Sequence, residues 1–197
     1  MAAAWPARLE VSLKKNKKYA FASYFQLATI SEGATIRPVC RTVVYRGFAG
    51  ETDNITFVTD QRSNKVREFE RKALAEACWY FPNTREQYRL SGSITVVSQD
   101  DPPGPLQDER QHKWRSMSDP GRAQFAWPHP GEDRHLPDEN WEPEAPAQDS
   151  AALDTFCLVI LNVETCDYLS LKENRRFVYA NNGKESGSRW DCKEVNP

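Results

Sequence analysis

Between Phe25 and Val97 the chain carries five short runs rich in β-branched and aromatic residues, each ended by a turn or helix signal. Only one short helical pattern interrupts them. Strands in quick succession with few intervening helices exclude alternating βαβ units and predict an antiparallel barrel or sandwich. The runs are Phe25–Ile30, a strand within Thr35–Phe48 that is clearest at Val39–Tyr45, Ile55–Thr59, Leu74–Phe81 and Gln87–Val97. Glu32-Gly33, Gly50–Asn54 and Pro82 supply turns, and Ser63 opens a short helix with Val66, Phe69 and Ala73 at helical spacing. Further on, Phe156–Leu171 predicts a long strand, Arg176–Ala180 and Trp190–Val195 predict two more, and Asn182-Gly183 predicts a turn between them. Helices are predicted over residues 7–25, Leu106–Met117 and Pro120–Trp127.

Length and charge refine this outline. A chain of 197 residues fits one domain, residues 1–197, and its six Trp, nine Phe and seven Tyr provide large side chains for a core. The formal charge of −2 is unevenly spread: residues 128–150 hold seven acids and one base, so the remainder is mildly basic. That acidic, proline-rich stretch has no periodicity and predicts a long loop, of the kind that is functional or disordered when it exceeds ~12–15 residues. The balanced charge gives no case for nucleic-acid binding. The longest apolar run, Phe156–Val163, contains Asn162 and falls well short of the ~20 residues of a membrane span. Five widely spaced cysteines without a C-x-x-C pair read as reduced thiols, so a cytoplasmic location is expected, with an organellar one left open.

Four segments could carry chemistry. Arg41–Arg46 places two arginines on a β-branched strand, and a guanidinium there needs either a partner or solvent. Thr59–Lys65 runs from a strand end into a helix start, where free N–H groups, the Ser63 hydroxyl and Lys65 could hold an anion; a plain serine N-cap is the competing reading. Arg85–Gly92 brings the amide of Gln87 into a strand, and Arg175–Tyr179 heads another strand with cations. The spacing of His112, His129 and His135 matches no zinc site, and no Walker, G-x-S-x-G or G-x-G-x-x-G motif is present.

In their order, the segments Arg41–Arg46, Phe57–Lys65, Phe81–Gly92 and Arg176–Tyr179 resemble the pyridoxamine 5′-phosphate oxidase-like, FMN-binding split-barrel family. The resemblance implies a mainly β fold, a six-stranded antiparallel split barrel with flanking helices, working as a homodimer with FMN at the interface. It implies that Arg41 contacts the phosphate side of FMN and that the backbone of Arg41, Thr42, Val43 and Val44 runs along the flavin. Val58 and Thr59 would sit beside the cofactor, Ser63 and Lys65 would hold its phosphate, and Gln87, from the other subunit, would address the ring edge. Arg176 would complete the site. Arg46 would approach both flavin and substrate, and Trp114, Ser118 and Arg122 would line the pocket of a small phosphorylated substrate. No metal is implied.

The chain also departs from the family pattern. Asn64 stands where the oxidases carry an arginine, and the segment Leu171–Arg175 is too short for their substrate-binding Arg-x-His. The resemblance therefore implies an FMN-dependent oxidase of a phosphorylated B6 vitamer. Two alternatives stand beside it: a flavin oxidoreductase with another substrate, or a split-barrel module that holds FMN or a tetrapyrrole without turnover. The acidic loop has no counterpart in this comparison and reads as lying beside the barrel, as a lid or dimer contact.

Overall fold

The computed structural model describes residues 4–32, 35–134, 141–183 and 189–197. It contains eight antiparallel strands: β1 (Tyr24–Glu32), β2 (Ile36–Val44), β3 (Ile55–Asp60), β4 (Leu74–Phe81), β5 (Glu86–Val97), β6 (Phe156–Ser170), β7 (Arg175–Asn181) and β8 (Trp190–Val195). The helices are α1 (Trp5–Asn16), α2 (Asn64–Arg71), α3 (Pro105–Ser116) and α4 (Asp119–Ala123). The strands lie in the order β2-β1-β4-β5-β6-β7-β8, and β3 pairs with β6.

Six of these strands make the split barrel. The course β2-β1-β4-β5-β6-β3 curls round one aromatic core, and the ring stays open between β2 and β3. There the chain is joined only after β2 has ended, through Arg46 N–H to Thr56 O (2.8 Å), Thr56 N–H to Gly47 O (2.8 Å) and the Phe48–Ile55 bridge. Strand β6 is long enough to serve two neighbours. Its first six residues pair with β3 and its last six with β7, so β7 and β8 branch away from the barrel. The changeover coincides with a bulge, where Ser91 pairs with Thr165 but Gly92 pairs with Val163. A Cβ on Gly92 would stand 1.9 Å from Asn162 O, so no side chain is accommodated at that close approach.

Alternation explains the core. Phe25 and Leu27 on β1, Ile55 and Phe57 on β3, Trp79 and Phe81 on β4, and Tyr88 and Leu90 on β5 are all fully buried. Helix α1 plugs one side with Trp5 and Leu9, and its polar residue Ser12 bonds the buried carboxylate of Glu86 (2.9 Å), which Tyr168 also reaches (2.8 Å). The helix expected over residues 7–25 is shorter, because Asn16 turns inward to bond Ser12 O and Thr84 while the chain passes through a short 3-10 turn into β1. Strand β2 likewise ends at Val44, before the expected Phe48; Gly47 then takes a φ of +97° as the chain turns toward β3. A second, smaller core of Trp114, Met117, Phe125 and Phe156 lies under α3 and α4. All five cysteines are free, and burial pushes the Cys157 thiol up to about 12. Among the described residues no helix is long and apolar enough to cross a membrane.

Candidate functional site

The end of β3 and the start of α2 form a cationic corner. Ser63 stands at the N-cap of α2, yet its hydroxyl makes no capping bond. It faces Thr59 Oγ1 (3.4 Å), and Lys65 Nζ donates to both Thr59 Oγ1 (2.9 Å) and Ser63 Oγ (3.2 Å). The competing N-cap reading of Ser63 is therefore not the one realised. Burial, and after it the charge of Arg41, pulls the Lys65 ammonium below its ordinary pKa. An ammonium held in that state gains by receiving an anion, and the first N–H groups of an eight-residue helix point to the same corner. Arg41 is tied down differently, pairing with Glu68 and donating to Thr29 Oγ1.

Beside this corner opens a cavity of about 360 Å³. Val44, Arg46, Val58 and Thr59 line it from the barrel, and Met117 and Phe125 from the second core. Arg46 is its one unbalanced barrel cation: among the described residues its buried Nε has no partner, and burial pulls its guanidinium below the ordinary value. Asp60, also in the lining, is already bound by Arg62 through Nε–Oδ1 (3.0 Å) and Nη2–Oδ2 (2.7 Å).

The remaining wall comes from the acidic, proline-rich segment. Trp127, Pro128, His129, Pro130, Gly131 and Trp141 all reach the cavity. Where it is described the segment lacks regular secondary structure, as expected, but side chains elsewhere pin its backbone. Arg62 Nη2 donates to Trp127 O (3.0 Å), Arg122 Nε to Pro146 O (2.8 Å), Gln148 Nε2 to Arg115 O (2.7 Å) and Gln111 Nε2 to Ser150 O (2.8 Å). The expectation of a loop lying merely beside the barrel is thus corrected: residues 127–131 and Trp141 are part of the cavity. Sequence reading missed them because no local pattern marks a wall built by distant arginine and glutamine side chains. The Trp127-Pro-His-Pro run was the available signal. His135 and residues 136–140 lie outside the described residues.

The other expected site residues separate into groups. Thr42 is exposed on the outer face of β2 and Val43 is buried in the core, so only their backbone follows the path expected of it. Gln87 and Arg176 lie in one cross-strand row, each paired with Leu169 of β6, on the sheet face that no helix of this chain covers. Neither lines the cavity of its own chain, and Arg176 is held by Asp167 (2.7 Å). Three expected substrate residues are placed away from the cavity wall. Trp114 is fully buried against Phe125 and Phe156, because it supplies the second core. Ser118 is exposed at the N-cap of α4. Arg122 is 2% exposed and spent on Met117 O, Pro146 O and Asp119. The turn Leu171–Asn174 connects β6 directly to β7, as its shortness required. Among the described residues no group of three His, Cys, Asp or Glu could hold a metal ion.

The geometry tests well against a phosphorylated flavin. It joins an anion corner, a cavity with apolar walls and an unpartnered guanidinium. Comparison with known proteins points the same way. Residues 2–98 match the family model described as pyridoxamine 5′-phosphate oxidase, FMN-binding domain. Pyridoxine/pyridoxamine 5′-phosphate oxidase 2 of Arabidopsis thaliana is 34% identical over 196 residues, spanning 99% of this chain and 98% of its own. The crystal structure of a pyridoxamine 5′-phosphate oxidase-related, FMN binding protein from Nostoc punctiforme PCC 73102 superposes with a TM-score of 0.89 at 37% identity, covering 100% of both chains. PhzG from Burkholderia lata 383, solved with tetrahydrophenazine-1-carboxylic acid, shares the fold at a TM-score of 0.68 and 17% identity, over 97% of this chain and 90% of its own.

Proposed function

Because this chain belongs to the pyridoxamine 5′-phosphate oxidase, FMN-binding family, we propose that it is an FMN-dependent oxidoreductase acting on pyridoxine or pyridoxamine 5′-phosphate. The observation that carries the reading is the Thr59–Ser63–Lys65 corner opening onto a cavity with the unpartnered Arg46. Lys65, Ser63 and the α2 N-terminus hold the FMN phosphate, with Arg41 adding charge from β2. Val44 and Val58 flank the ring, and Thr59 bonds it near the strand end. FMN, when bound, supplies the two-electron acceptor that dioxygen reoxidises. The protein contributes placement, charge neutralisation and exclusion of water, and needs no metal.

Two copies complete the site. Gln87 and Arg176 lie on the uncovered sheet face, so we assign them to the neighbouring subunit's cofactor in a homodimer with FMN at the interface. A second reading is favoured by the short Leu171–Asn174 turn, which leaves this chain without the substrate-binding Arg-x-His of the oxidases. Under it the protein binds FMN or another ligand without turning over B6 vitamers, or oxidises a different substrate.

Purified protein titrated with FMN decides the cofactor: quenched flavin fluorescence and a perturbed visible spectrum are expected, and their absence would overturn the reading. Mixing the loaded protein with pyridoxine 5′-phosphate in air decides the reaction. Peroxide and pyridoxal phosphate together support the oxidase; flavin binding without either product supports the second reading.

A further inference from the structure

The barrel supplies the cavity with its cation, but the segment beyond α4 supplies its aromatic faces. Trp5, Trp79 and Trp114 are fully buried, whereas Trp127 is 38% exposed and Trp141 half-buried, both in a concave lining. Their ring centroids stand 6.0 Å apart at 60°, and Arg134 stacks over Trp141 at 4.7 Å. Large aromatic faces left open beside an unpartnered guanidinium are suited to a flat ring carrying an anion. His129 lies between them in sequence. Its Nδ1 approaches Pro130 O (3.1 Å) and Glu132 Oε1 (3.6 Å), which leaves Nε2 available to a ligand.

This wall is pre-organised. Pro128 and Pro130 fix the φ angles on either side of His129. Arg62 holds Trp127 O, and Thr155 holds Phe125 O (2.7 Å) just before it. Ordering the segment is therefore a cost met on folding and not on binding. His112, the other described histidine, is exposed on α3 and does not line the cavity.

We propose that Trp127, His129 and Trp141 are specificity-determining residues that, with Arg46, recognise the planar aromatic, anion-bearing substrate of this site. The inference rests on the preceding reading only in placing that substrate beside the flavin. The test is calorimetric titration of FMN-loaded protein with phenyl phosphate and with glycerol 3-phosphate, repeated on Trp127→Ala, Trp141→Ala, His129→Ala and the conservative Trp127→Phe. Phenyl phosphate should bind at least tenfold more tightly than glycerol 3-phosphate. The alanine variants should lose about tenfold for phenyl phosphate, Trp127→Phe should stay within about threefold, and FMN affinity should change less than twofold throughout.

In turnover with pyridoxine 5′-phosphate the same variants should raise KM with little change in kcat. Wild-type protein that does not distinguish the two probes, or alanine variants that bind like wild type, would overturn the proposal. If FMN fails to load, the preceding reading falls, and the FMN-free protein is titrated instead; loss of phenyl phosphate binding in the tryptophan variants would still uphold the wall, and its persistence would still refute it.

Discussion

The corner at the start of α2 and the wall at residues 127–131 border one cavity but are built in opposite ways. The corner is local: Thr59, Ser63 and Lys65 fall within seven residues, and their hydrogen bonds follow from a strand running straight into a helix. The wall is assembled from a distance, by Arg62 of the β3–α2 turn, Gln111 of α3 and Arg122 of α4 bonding backbone carbonyls 24 to 65 residues away. A locally built anion site survives changes elsewhere in the fold. A wall held by remote side chains fails when any staple is removed, and its failure should leave the corner intact.

The harshest test of that contrast is Arg122→Ala. The guanidinium is almost fully buried and bonds Met117 O, Pro146 O and Asp119. Its loss strands buried carbonyls and should cost about 2–4 kcal/mol of stability, read as a lower urea midpoint. Folded Arg122→Ala protein should still bind FMN within a few-fold of wild type. A collapse of FMN affinity in the folded variant would show that corner and wall are one unit.

Lys65→Ala strikes the other region. It should weaken FMN binding by ~1–3 kcal/mol, roughly 5- to 150-fold, with the urea midpoint little changed. The pH dependence has a definite sign. Burial and Arg41 lower the Lys65 pKa, so the ammonium loses its proton as pH rises through a value below the usual 10.5. FMN affinity should therefore decline on the alkaline side earlier than an ordinary lysine would dictate. Lys65→Arg, which keeps its charge, should remove that decline. An affinity flat with pH in the wild type would exclude Lys65 as the phosphate's partner.

The same contrast governs what could be read from the chain. Strand positions and the Thr59–Lys65 corner were legible because alternation, turn residues and helix starts are short-range signals. The boundaries that moved did so for tertiary reasons: Asn16 ends α1 by turning inward, and Gly47 turns the chain toward β3. Trp114 and Arg122 have the composition of a substrate pocket, but burial in the second core and bonding to carbonyls decide their roles. Nothing within residues 127–131 reveals that Arg62, far upstream, will fix them at a cavity. Gln87 and Arg176 were legible only through resemblance, because the surface they serve is completed by a second copy.

Arg62→Ala is the mildest and most discriminating change. Its side chain is 28% exposed, and its bidentate pair with Asp60 lies near solvent, so the stability loss should be about 0.5–1 kcal/mol. Yet Arg62 belongs to both regions. It sits between Thr59 and Ser63 in sequence, while its Nη2 holds Trp127 O. If the corner is made by local geometry and the wall by remote staples, removing Arg62 should raise KM two- to fivefold and leave the FMN titration unchanged. Asp60→Asn supplies the control, since it releases the ion pair but keeps the guanidinium that reaches Trp127. FMN affinity that falls in Arg62→Ala while KM holds would reverse the assignment, making Arg62 a support of the phosphate corner and leaving the wall to hold itself.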